Sequence, residues 1–290
     1  MFICKQCPRK CYIDRTTHIG RCGVKEAYKV SLARLHLWEE PCISGENGSG
    51  TVFFSGCSLK CVYCQNYEIS RKCFGKEISE ERLIEIFKEL ENKGAHNINL
   101  VNPTHYAVQL AKTLSKYKPS IPVVYNTGGY DSVESLKMLE SLVDVYLTDM
   151  KYVSSKVSEK YSGAADYFET SSKAILEMRR QQPEDVFENG LMKKGLIIRH
   201  LVLPGNVSQA FGVLDWVKNS LSTDTVLSLM GQYSPCGEAE NYPVINRRLS
   251  EREYNMVLDR TEMLGFERVY IQELSSASEE YIPSFDLGGV

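Results

Sequence analysis

Strand and helix signals alternate along the chain from residue 51 onwards, and this alternation limits the fold more than any other feature of the sequence. Short apolar runs rich in β-branched residues predict strands, and apolar residues at helical spacing predict helices. Strands are predicted at residues 51–56, 98–101, 123–125, 143–147, 196–203, 226–230 and 268–271. Helices are predicted at residues 79–93, 106–118, 132–142, 156–180, 208–221 and 251–264, and a loop at 181–194.

The predicted strands are nearly continuous apolar runs, which is typical of a parallel sheet covered by helices. Six or seven strand–helix units fit a partial (β/α)6 TIM-like barrel better than a doubly wound sheet, and periodicity alone does not separate these two α/β folds. The barrel is expected to span residues 51–290. Residues 1–50 are irregular and rich in cysteine, with one predicted strand at 28–35, and are expected to form an N-terminal extension.

The overall charge and hydropathy exclude some classes of function. The chain has 290 residues, of which 43% are hydrophobic and 24% charged, and its net charge is −3. These hydrophobic and charged fractions are ordinary for a globular protein, and the small net charge predicts no nucleic-acid or membrane partner. The sequence has no signal-peptide pattern at its start and no uncharged run of membrane-spanning length. We therefore expect a cytoplasmic protein.

Cysteines are unusually concentrated near the beginning of the chain. Nine of the ten lie within the first 73 residues. The cytoplasm is reducing, so a disulfide framework is not expected there. Closely spaced cysteines in such a protein more often bind metal.

Three of these cysteines, Cys57, Cys61 and Cys64, follow the first strand of the predicted barrel. Their spacing within one short loop lets the three sulfurs approach a single iron–sulfur cluster. A 4Fe–4S cluster with four cysteine ligands is coordinatively closed, whereas three ligands leave one iron open for another molecule. A structural zinc site is the alternative, but it usually has four ligands in two pairs. Spacing alone favours iron–sulfur and leaves zinc open.

The aromatic residue Tyr63 directly before the third cysteine completes a Cys-x3-Cys-x-aromatic-Cys motif. With this motif the chain resembles the radical S-adenosylmethionine (SAM) superfamily. More narrowly, it resembles an uncharacterised branch of proteins related to pyruvate formate-lyase activating enzyme. The similar segments are LHLWEEPCISG, GTVFFSGCSLKCVYCQNYEIS, VVYNTGGY, VDVYLTDMKY, GLIIRHLVLPG and SFDLGGV.

This resemblance implies a partial barrel of the radical SAM type and an oxidoreductase activity. The implied cofactors are a 4Fe–4S cluster on Cys57, Cys61 and Cys64, and SAM bound at the open iron. An electron from a flavodoxin or ferredoxin type of donor would cleave SAM to a 5′-deoxyadenosyl radical, which abstracts hydrogen from a substrate. The nearest named relatives act on a backbone glycine of a partner protein, the glycyl radical enzyme. The alternatives are modification of a small molecule or peptide, and a non-catalytic zinc or iron–sulfur binding module.

Polar residues follow most of the predicted strands. In a barrel these positions surround the active site, although each residue alone is explained equally well by hydrogen bonds to loop backbone. The residues are Asn102, Thr104, Asn126, Thr127, Asp149, Lys151, Arg199, Gln232, Tyr233, Gln272 and Glu273.

The family resemblance assigns roles to some of these residues. The Asn126-Thr127-Gly-Gly segment is similar to the family's Asp-Thr-Asn-Gly segment, and Asp149-Met-Lys151 to its Asp-Leu-Lys segment. These positions imply a monovalent-cation site beside the SAM carboxylate, with Lys151 in contact with SAM. Oxygen ligands from Asn126, Thr127 and Asp149 suit such a cation. Arg199 corresponds to a family arginine near the methionine moiety.

The sequence departs from the family after the second barrel strand. The family's Gly-Gly-Glu motif, which holds the SAM amino group, is replaced by Val-Asn-Pro-Thr-His at residues 101–105. Asn102 or Thr104 is expected to take over this contact. Tyr63 is also expected to lie against the cofactor.

A second group of cysteines lies in the N-terminal extension. Cys4, Cys7, Cys11 and Cys22 match a closed four-ligand site for zinc or a second iron–sulfur cluster. A thioredoxin-like Cys-x-x-Cys pair and buried free cysteines are the alternatives, and the number of ligands favours metal. We therefore expect residues 1–50 to bind metal.

Overall fold

The computed structural model describes residues 3–272, 274 and 283–290. The ten strands are β1 (Tyr28–His36), β2 (Ser49–Phe54), β3 (Lys76–Ile78), β4 (Ile98–Val101), β5 (Val123–Thr127), β6 (Val145–Asp149), β7 (Val186–Glu188), β8 (Leu191–Leu201), β9 (Val226–Met230) and β10 (Val269–Ile271). The nine helices are α1 (Pro41–Ser44), α2 (Tyr67–Ser70), α3 (Glu80–Asn92), α4 (Ala107–Lys116), α5 (Val133–Lys137), α6 (Ser155–Ser162), α7 (Tyr167–Gln181), α8 (Val207–Ser220) and α9 (Glu251–Leu264). Both counts refer to the residues just given.

One sheet contains all the strands, in the order β10-β9-β8-β6-β5-β4-β2-β1-β3, with β7 paired to β8. The seven strands from β10 to β2 are parallel to one another. Within the described residues the edge strands β3 and β10 do not pair, so the sheet stays open. The seven parallel strands correspond to the seven predicted ones, and the predicted α/β fold, a partial barrel, is confirmed.

The segment before residue 51 contributes to this sheet. β1 runs antiparallel to β2, with His36 opposite Ser49 and Val30 opposite Phe54. β3 pairs with the other side of β1. The predicted strand at residues 28–35 is therefore part of the main sheet, while the domain boundary at residue 50 stays a prediction.

The two faces of the sheet have different environments. On β4, Ile98 and Leu100 belong to the large core between the sheet and the helices. Side chains in a strand alternate between the faces, so Asn99 and Val101 point to the inner face, the lumen of the barrel. At the end of the barrel where the parallel strands begin, the inner face is apolar, and Val124 packs near Ile43 of α1. The short helix α1 thus closes the end of the barrel opposite the strand carboxyl ends.

The C-terminal segment, residues 284–289, packs against β1. The Leu287 amide donates to the Ser31 carbonyl at 3.1 Å, and the Ala33 amide donates to the Gly288 carbonyl at 2.9 Å. Phe285 meets Phe53 edge-on, with ring centroids 5.5 Å apart. The segment therefore runs along β1 and adds an aromatic ring to the inner face.

The region predicted as mostly helical at 156–180 forms two helices, α6 and α7, because Gly163 adopts a left-handed conformation at φ 56° and ends α6. The helix predicted at 132–142 is regular only in α5. By contrast, the start of α3 agrees with the sequence, since the Ser79 side chain accepts a hydrogen bond from the Arg82 amide.

The predicted loop at 181–194 is wrong. It contains β7 and the beginning of β8, joined by Asn189 and Gly190 with φ values of 51° and 78°. An Asn-Gly pair with two positive φ angles is the preferred two-residue hairpin turn. The Asn-Gly pair is the sequence signal for this hairpin, but the flanking runs lack the strict alternation that identifies strands.

No helix in the described part of the chain has the length and hydropathy needed to cross a bilayer.

Two glycines with similar backbone angles allow a test of the contact between β5 and β6. Gly129 has φ 80°, and a Cβ there would lie 2.1 Å from the Asp149 carbonyl oxygen, whereas Gly190 has φ 78° and open space around it. Gly190→Ala should lower the free energy of unfolding by about 1–2 kcal/mol, the cost of a left-handed alanine. Gly129→Ala should lower it by about 4 kcal/mol or more because backbone atoms must also move. Denaturant unfolding measures both values, and equal losses would contradict the close approach.

Candidate active site

The loop with Cys57, Cys61 and Cys64 begins directly after β2, at the carboxyl end of the parallel sheet. Gly56 precedes it with φ 89°, and a Cβ there would lie 2.8 Å from the Cys22 carbonyl oxygen. The Cys57 amide donates to that same oxygen at 3.0 Å. The N-terminal extension therefore packs directly against the start of the loop, and only glycine fits at the point of contact.

The three thiols of this loop are free and influence one another. Burial raises the pKa of Cys61 to about 12; Lys151 opposes this shift, while Cys57 and Cys64 add to it. Burial likewise raises the pKa of Cys64 to about 11, with a further contribution from Cys57. A thiol must lose its proton to bind metal, so metal binding here would release protons.

This arrangement fits the implied iron–sulfur cluster. Three free thiols of one loop are electrostatically coupled, and the Lys151 ammonium lies close enough to lower the pKa of Cys61 and Cys64. In a cluster each thiolate binds a different iron atom, so the sulfurs need not surround one point. Among the described residues, no three His, Cys, Asp or Glu side chains surround a position for a single metal ion.

A chain of hydrogen bonds leads from Cys61 into a cluster of tyrosines. The Cys61 sulfur lies 3.0 Å from the Ser162 hydroxyl, which lies 2.8 Å from the Tyr152 hydroxyl. The Tyr152 hydroxyl in turn contacts that of Tyr63 at 2.5 Å. Tyr63 is only 6% exposed, so its ring helps to bury the cysteine loop. Its predicted contact with the cofactor stays a prediction.

Asp149 at the end of β6 is held between two cations. Lys151 Nζ lies 2.5 Å from one carboxylate oxygen, and Arg199 Nε lies 2.9 Å from the other. Burial raises the pKa of Asp149, but Lys151 and Arg199 together outweigh burial and leave it below the ordinary value. Asp149 is therefore ionised and paired with both cations, and Lys151 also lowers the pKa of Cys61 in the cysteine loop.

Arg199 on β8 connects this pair to the neighbouring strand. Its Nη2 donates to Asn126 Oδ1 at 2.6 Å. Asp149, Asn126 and Arg199 all point to the inner face, in keeping with side-chain alternation on their strands. Four of the residues predicted at strand ends thus lie together: Asn126, Asp149, Lys151 and Arg199.

Thr104 and Thr127 belong to a different network. Their hydroxyls lie 3.0 Å apart, and Thr127 donates to the Asp131 carboxylate at 2.6 Å. Tyr125 donates to the same carboxylate, and its side chain belongs to the core between sheet and helices. Thr127, two residues further along the strand, points to that outer face as well. Its predicted role with Asn126 and Asp149 around a cation stays a prediction.

Asn102 positions the cysteine loop. It adopts a left-handed conformation with φ 58°, which asparagine tolerates better than most residues. Its side-chain amide donates to the Gly56 carbonyl oxygen, and its backbone amide donates to Asn126 O at 2.8 Å. The hydrogen bond from the Asn102 side chain connects the end of β4 to Gly56, the residue before Cys57. The contact with the SAM amino group assigned to Asn102 and Thr104 stays a prediction.

Sequence reasoning missed two carboxylates inside the barrel. Glu39 and Glu40 immediately precede α1, and Glu39 contacts Arg199 Nη1 at 3.3 Å. Burial raises the pKa of both carboxyls, and Arg199 opposes the shift. The available signal was a pair of acidic residues directly before Pro41 at a helix start. The lone Asn99 in an apolar strand was a second signal.

The N-terminal cysteines lie in a compact turn. Cys4 and Ile13 are joined by a backbone hydrogen bond of 2.9 Å, which brings the two ends of the turn together. A Cβ on Gly20 would lie 3.4 Å from the Cys22 sulfur and 3.7 Å from the Cys11 sulfur, so these two sulfurs are neighbours. Burial raises the pKa of Cys7 to about 12, and Cys22, Cys4 and Cys11 add to that shift. The four thiols therefore influence one another, although among the described residues no three of them surround a position for a single metal ion.

The remaining predicted strand-end residues contribute less to this site. Tyr233 is buried, and its hydroxyl donates to the Ile245 carbonyl at 2.7 Å. The Gln272 carbonyl accepts a hydrogen bond of 2.9 Å from Tyr254. Glu273 lies outside the described residues.

Comparison with known proteins agrees with this architecture. Residues 51–203 match the family model of the radical SAM superfamily. The chain is also 34% identical over 276 residues to the uncharacterised protein MJ0674 of Methanocaldococcus jannaschii, which is 92% of this chain and 76% of the relative.

Solved structures support the fold. SuiB of Streptococcus suis, bound to the precursor peptide SuiA, superposes with a TM-score of 0.52 and 14% identity, over 77% of this chain and 48% of SuiB. The FeFe-hydrogenase maturase HydG of Carboxydothermus hydrogenoformans superposes with a TM-score of 0.50 and 13% identity, over 79% of this chain and 55% of HydG. The chain spans about half the length of these two proteins, and at such identities the likeness concerns the fold alone. A domain of pyruvate-formate lyase-activating enzyme from Bacteroides vulgatus superposes with a TM-score of only 0.39 and 14% identity. This superposition covers 67% of this chain and 91% of that domain.

The buried ion pairs predict a large, pH-dependent effect of removing Arg199. Arg199→Met should lower the free energy of unfolding by about 3–5 kcal/mol at pH 8, because Glu39 and Asp149 are left without their shared cation. The loss should be smaller at pH 5, since Arg199 holds the pKa of both carboxyls down and a proton on Glu39 then replaces part of the missing charge.

Arg82→Met is the matched control. Arg82 also pairs with two carboxylates, Glu85 and Glu89, but its side chain is 31% exposed and theirs are 63% and 44% exposed. An exposed pair contributes about 1 kcal/mol or less, so this variant should change stability little at either pH. Similar losses for the two variants, or a larger loss for Arg199→Met at pH 5, would contradict the buried network.

Proposed function

The chain belongs to the radical SAM superfamily, and on this premise we propose that it is an enzyme that cleaves SAM at a 4Fe–4S cluster held by Cys57, Cys61 and Cys64. The observation that carries the proposal is the position of three coupled free thiols at the carboxyl end of β2, in electrostatic contact with Lys151. Cys57, Cys61 and Cys64 would hold the cluster, which would supply the electron, taken from a flavodoxin or ferredoxin type of donor, for cleavage of SAM to methionine and a 5′-deoxyadenosyl radical that would abstract hydrogen from the substrate.

The residues around Asp149 are suited to bind SAM. The side chains of Lys151 and Arg199 are 16% and 15% exposed, so both cations are within reach of a bound molecule. We assign them to the SAM carboxylate, with Asp149 fixing their positions. The monovalent cation implied by the family resemblance stays a prediction, since Lys151 and Arg199 already compensate the charge of Asp149.

The proposed substrate has two candidates. One is a backbone glycine of a partner protein, as implied by the resemblance to activating enzymes. The other is a peptide or a small polar molecule, and the polar inner face of the barrel favours it, because Glu39 lies inside the barrel against Arg199 and the two side chains remain 10% and 15% exposed. Both candidates require the same cleavage of SAM, so one experiment tests that common step.

Cys57→Ala, Cys61→Ala and Cys64→Ala should each abolish formation of 5′-deoxyadenosine, because the open-iron cluster requires all three thiolates. The protein is reconstituted anaerobically with iron and sulfide, reduced with dithionite and supplied with SAM. Cys42→Ala is the control, since Cys42 is buried on the floor of the barrel in another part of the core. SAM cleavage by any of the three variants with iron still bound would refute the assignment.

We further propose that Cys4, Cys7, Cys11 and Cys22 hold a second metal, as zinc or as an iron–sulfur cluster. The supporting observation is Arg15, whose fully buried guanidinium donates to the carbonyls of Lys25 and His105. Among the described residues it forms no salt bridge, and it lowers the pKa of Cys22, which burial raises. A metal-bound thiolate at Cys22 would supply the negative charge that this buried cation lacks.

The second metal should persist when the first site is destroyed. A variant with Cys57, Cys61 and Cys64 all replaced by alanine should retain zinc or iron after anaerobic reconstitution, and the added change Cys22→Ala should remove it. Elemental analysis measures the metal, and circular dichroism checks that both variants are folded. A folded triple variant that contains neither zinc nor iron would rule out the N-terminal site.

A further inference from the structure

The inner face of the barrel carries a compact set of polar residues that the cofactor assignments do not use fully. They come from the four strands β4, β5, β8 and β9 or from the segment before α1, and they lie above the apolar cluster formed by α1 and its neighbours. The residues are Glu39, Glu40, Asn99, Asn126, Arg199 and Ser228. Burial of polar groups inside a barrel lowers the stability of the fold unless these groups are hydrogen-bonded, so this set of residues is suited to bind a polar group.

The carboxylate of Glu39 makes only long hydrogen bonds. One carboxylate oxygen accepts from the side-chain amides of Asn99 and Asn126 at 3.2 and 3.3 Å, and the other contacts Arg199 at 3.3 Å. Arg199 makes its short contacts elsewhere, at 2.9 Å to Asp149 and 2.6 Å to Asn126. All three contacts of Glu39 lie at the long end of the hydrogen-bond range, so a better donor can replace them.

Glu40 lies deeper and has an unused acceptor. The residue is 4% exposed, and its Oε2 atom has no hydrogen-bond partner among the described residues. Arg199 lowers the pKa of the Glu40 carboxyl, and so does the Ser228 hydroxyl, which is close enough to interact with this carboxyl but is itself without a hydrogen-bond partner among the described residues. The carboxyl therefore lies against the inner faces of β8 and β9. On the opposite side of the lumen, Asn99 is fully buried, and its Oδ1 atom also lacks a partner in the described chain. Both atoms accept hydrogen bonds and neither donates.

The charges in this region do not balance. Glu39, Glu40 and Asp149 are three acids, whereas Lys151 and Arg199 are two cations, and both cations bind Asp149 most closely. Arg199, which already pairs with Asp149, is thus the cation shared by Glu39 and Glu40. Burial raises the pKa of both carboxyls, and Glu39 raises that of Glu40 further; an added positive group would oppose these shifts.

We infer that the barrel lumen binds a cationic nitrogen group of the substrate, an ammonium or guanidinium, between Glu39, Glu40 and the Asn99 side-chain carbonyl. The inference rests on the proposed function, because it assigns the substrate class of the same active site. The cation donates to Glu39 first, since the Glu39 side chain is 10% exposed and its present hydrogen bonds are long. Glu40 beneath it supplies the second negative charge and the unused acceptor.

The position in the sheet separates this group from the SAM site. Asn99 lies opposite Val124 on β5, while Val101 lies opposite Asn126, so Asn99 is one inward-facing position further from the strand carboxyl ends than Val101. The cysteine loop begins beyond β2, whose Phe53 lies opposite Val101. A group bound at Glu39 and Asn99 therefore lies below the level of the cysteines, on the side away from the mouth.

The test uses the anaerobically purified full-length protein and two probes of equal length, n-butylammonium and the uncharged 1-butanol. Their dissociation constants are measured by ligand-observed NMR titration. Butylammonium should bind at least about tenfold more tightly than 1-butanol, a difference of about 1.4 kcal/mol. Glu39→Gln and Glu40→Gln should each weaken butylammonium binding by about tenfold or more, and the exposed Glu240→Gln, with the same change in net charge, should not.

A second titration with saturating SAM locates the site. Butylammonium should bind with an unchanged dissociation constant, because its site lies below that of SAM. Displacement of butylammonium by SAM would mean that these carboxylates serve the amino group of SAM, and would overturn the inference. Equal binding of the charged and uncharged probes to the unaltered protein would also overturn it, whatever the variants do. SAM cleavage, measured separately, tests the proposed function independently of both outcomes.

Discussion

The inner face of the barrel depends on the guanidinium of Arg199. From β8 it reaches Asp149 on β6, Asn126 on β5 and Glu39 before α1, so one side chain connects four parts of the chain. Charged groups at this depth cost several kcal/mol each unless they are paired and hydrogen-bonded. The pairing allows the barrel to keep a polar interior above an apolar floor, and it fixes Asp149 where Lys151 can reach the cysteine loop.

The cysteine loop is held from three directions by groups distant in sequence. The Cys22 carbonyl accepts from the first cysteine, Asn102 binds the preceding glycine, and Ser162 contacts the middle cysteine. Arg9 of the extension adds a hydrogen bond of 2.9 Å to the Ser58 carbonyl within the loop. A loop whose shape is fixed before its cofactor arrives loses little conformational entropy on binding. The N-terminal extension is thus part of the support of the active site.

Much of this architecture could be predicted because it depends on local pattern. The seven parallel strands are short apolar runs, and their carboxyl ends meet at one edge, so Asn126, Asp149 and Arg199 were expected to lie together. Features of backbone conformation were harder to predict. A left-handed Gly163 divides one amphipathic helical pattern into two helices, and an Asn-Gly turn makes a hairpin from a segment without alternation. In both cases one or two residues override the surrounding periodicity.

The sequence by itself determined the sheet, the cysteine motif and the polar strand ends, since spacing and periodicity encode which residues are buried and which thiols share a loop. Only the tertiary structure decided which of those residues meet. Glu39 and Arg199 are 160 positions apart, and their contact depends on strand order and on how α1 closes the barrel. The same fold separates Thr127 from Asn126, because adjacent residues of a strand point to opposite faces. No one-dimensional pattern records these distances, because they arise only when the strands pair in register.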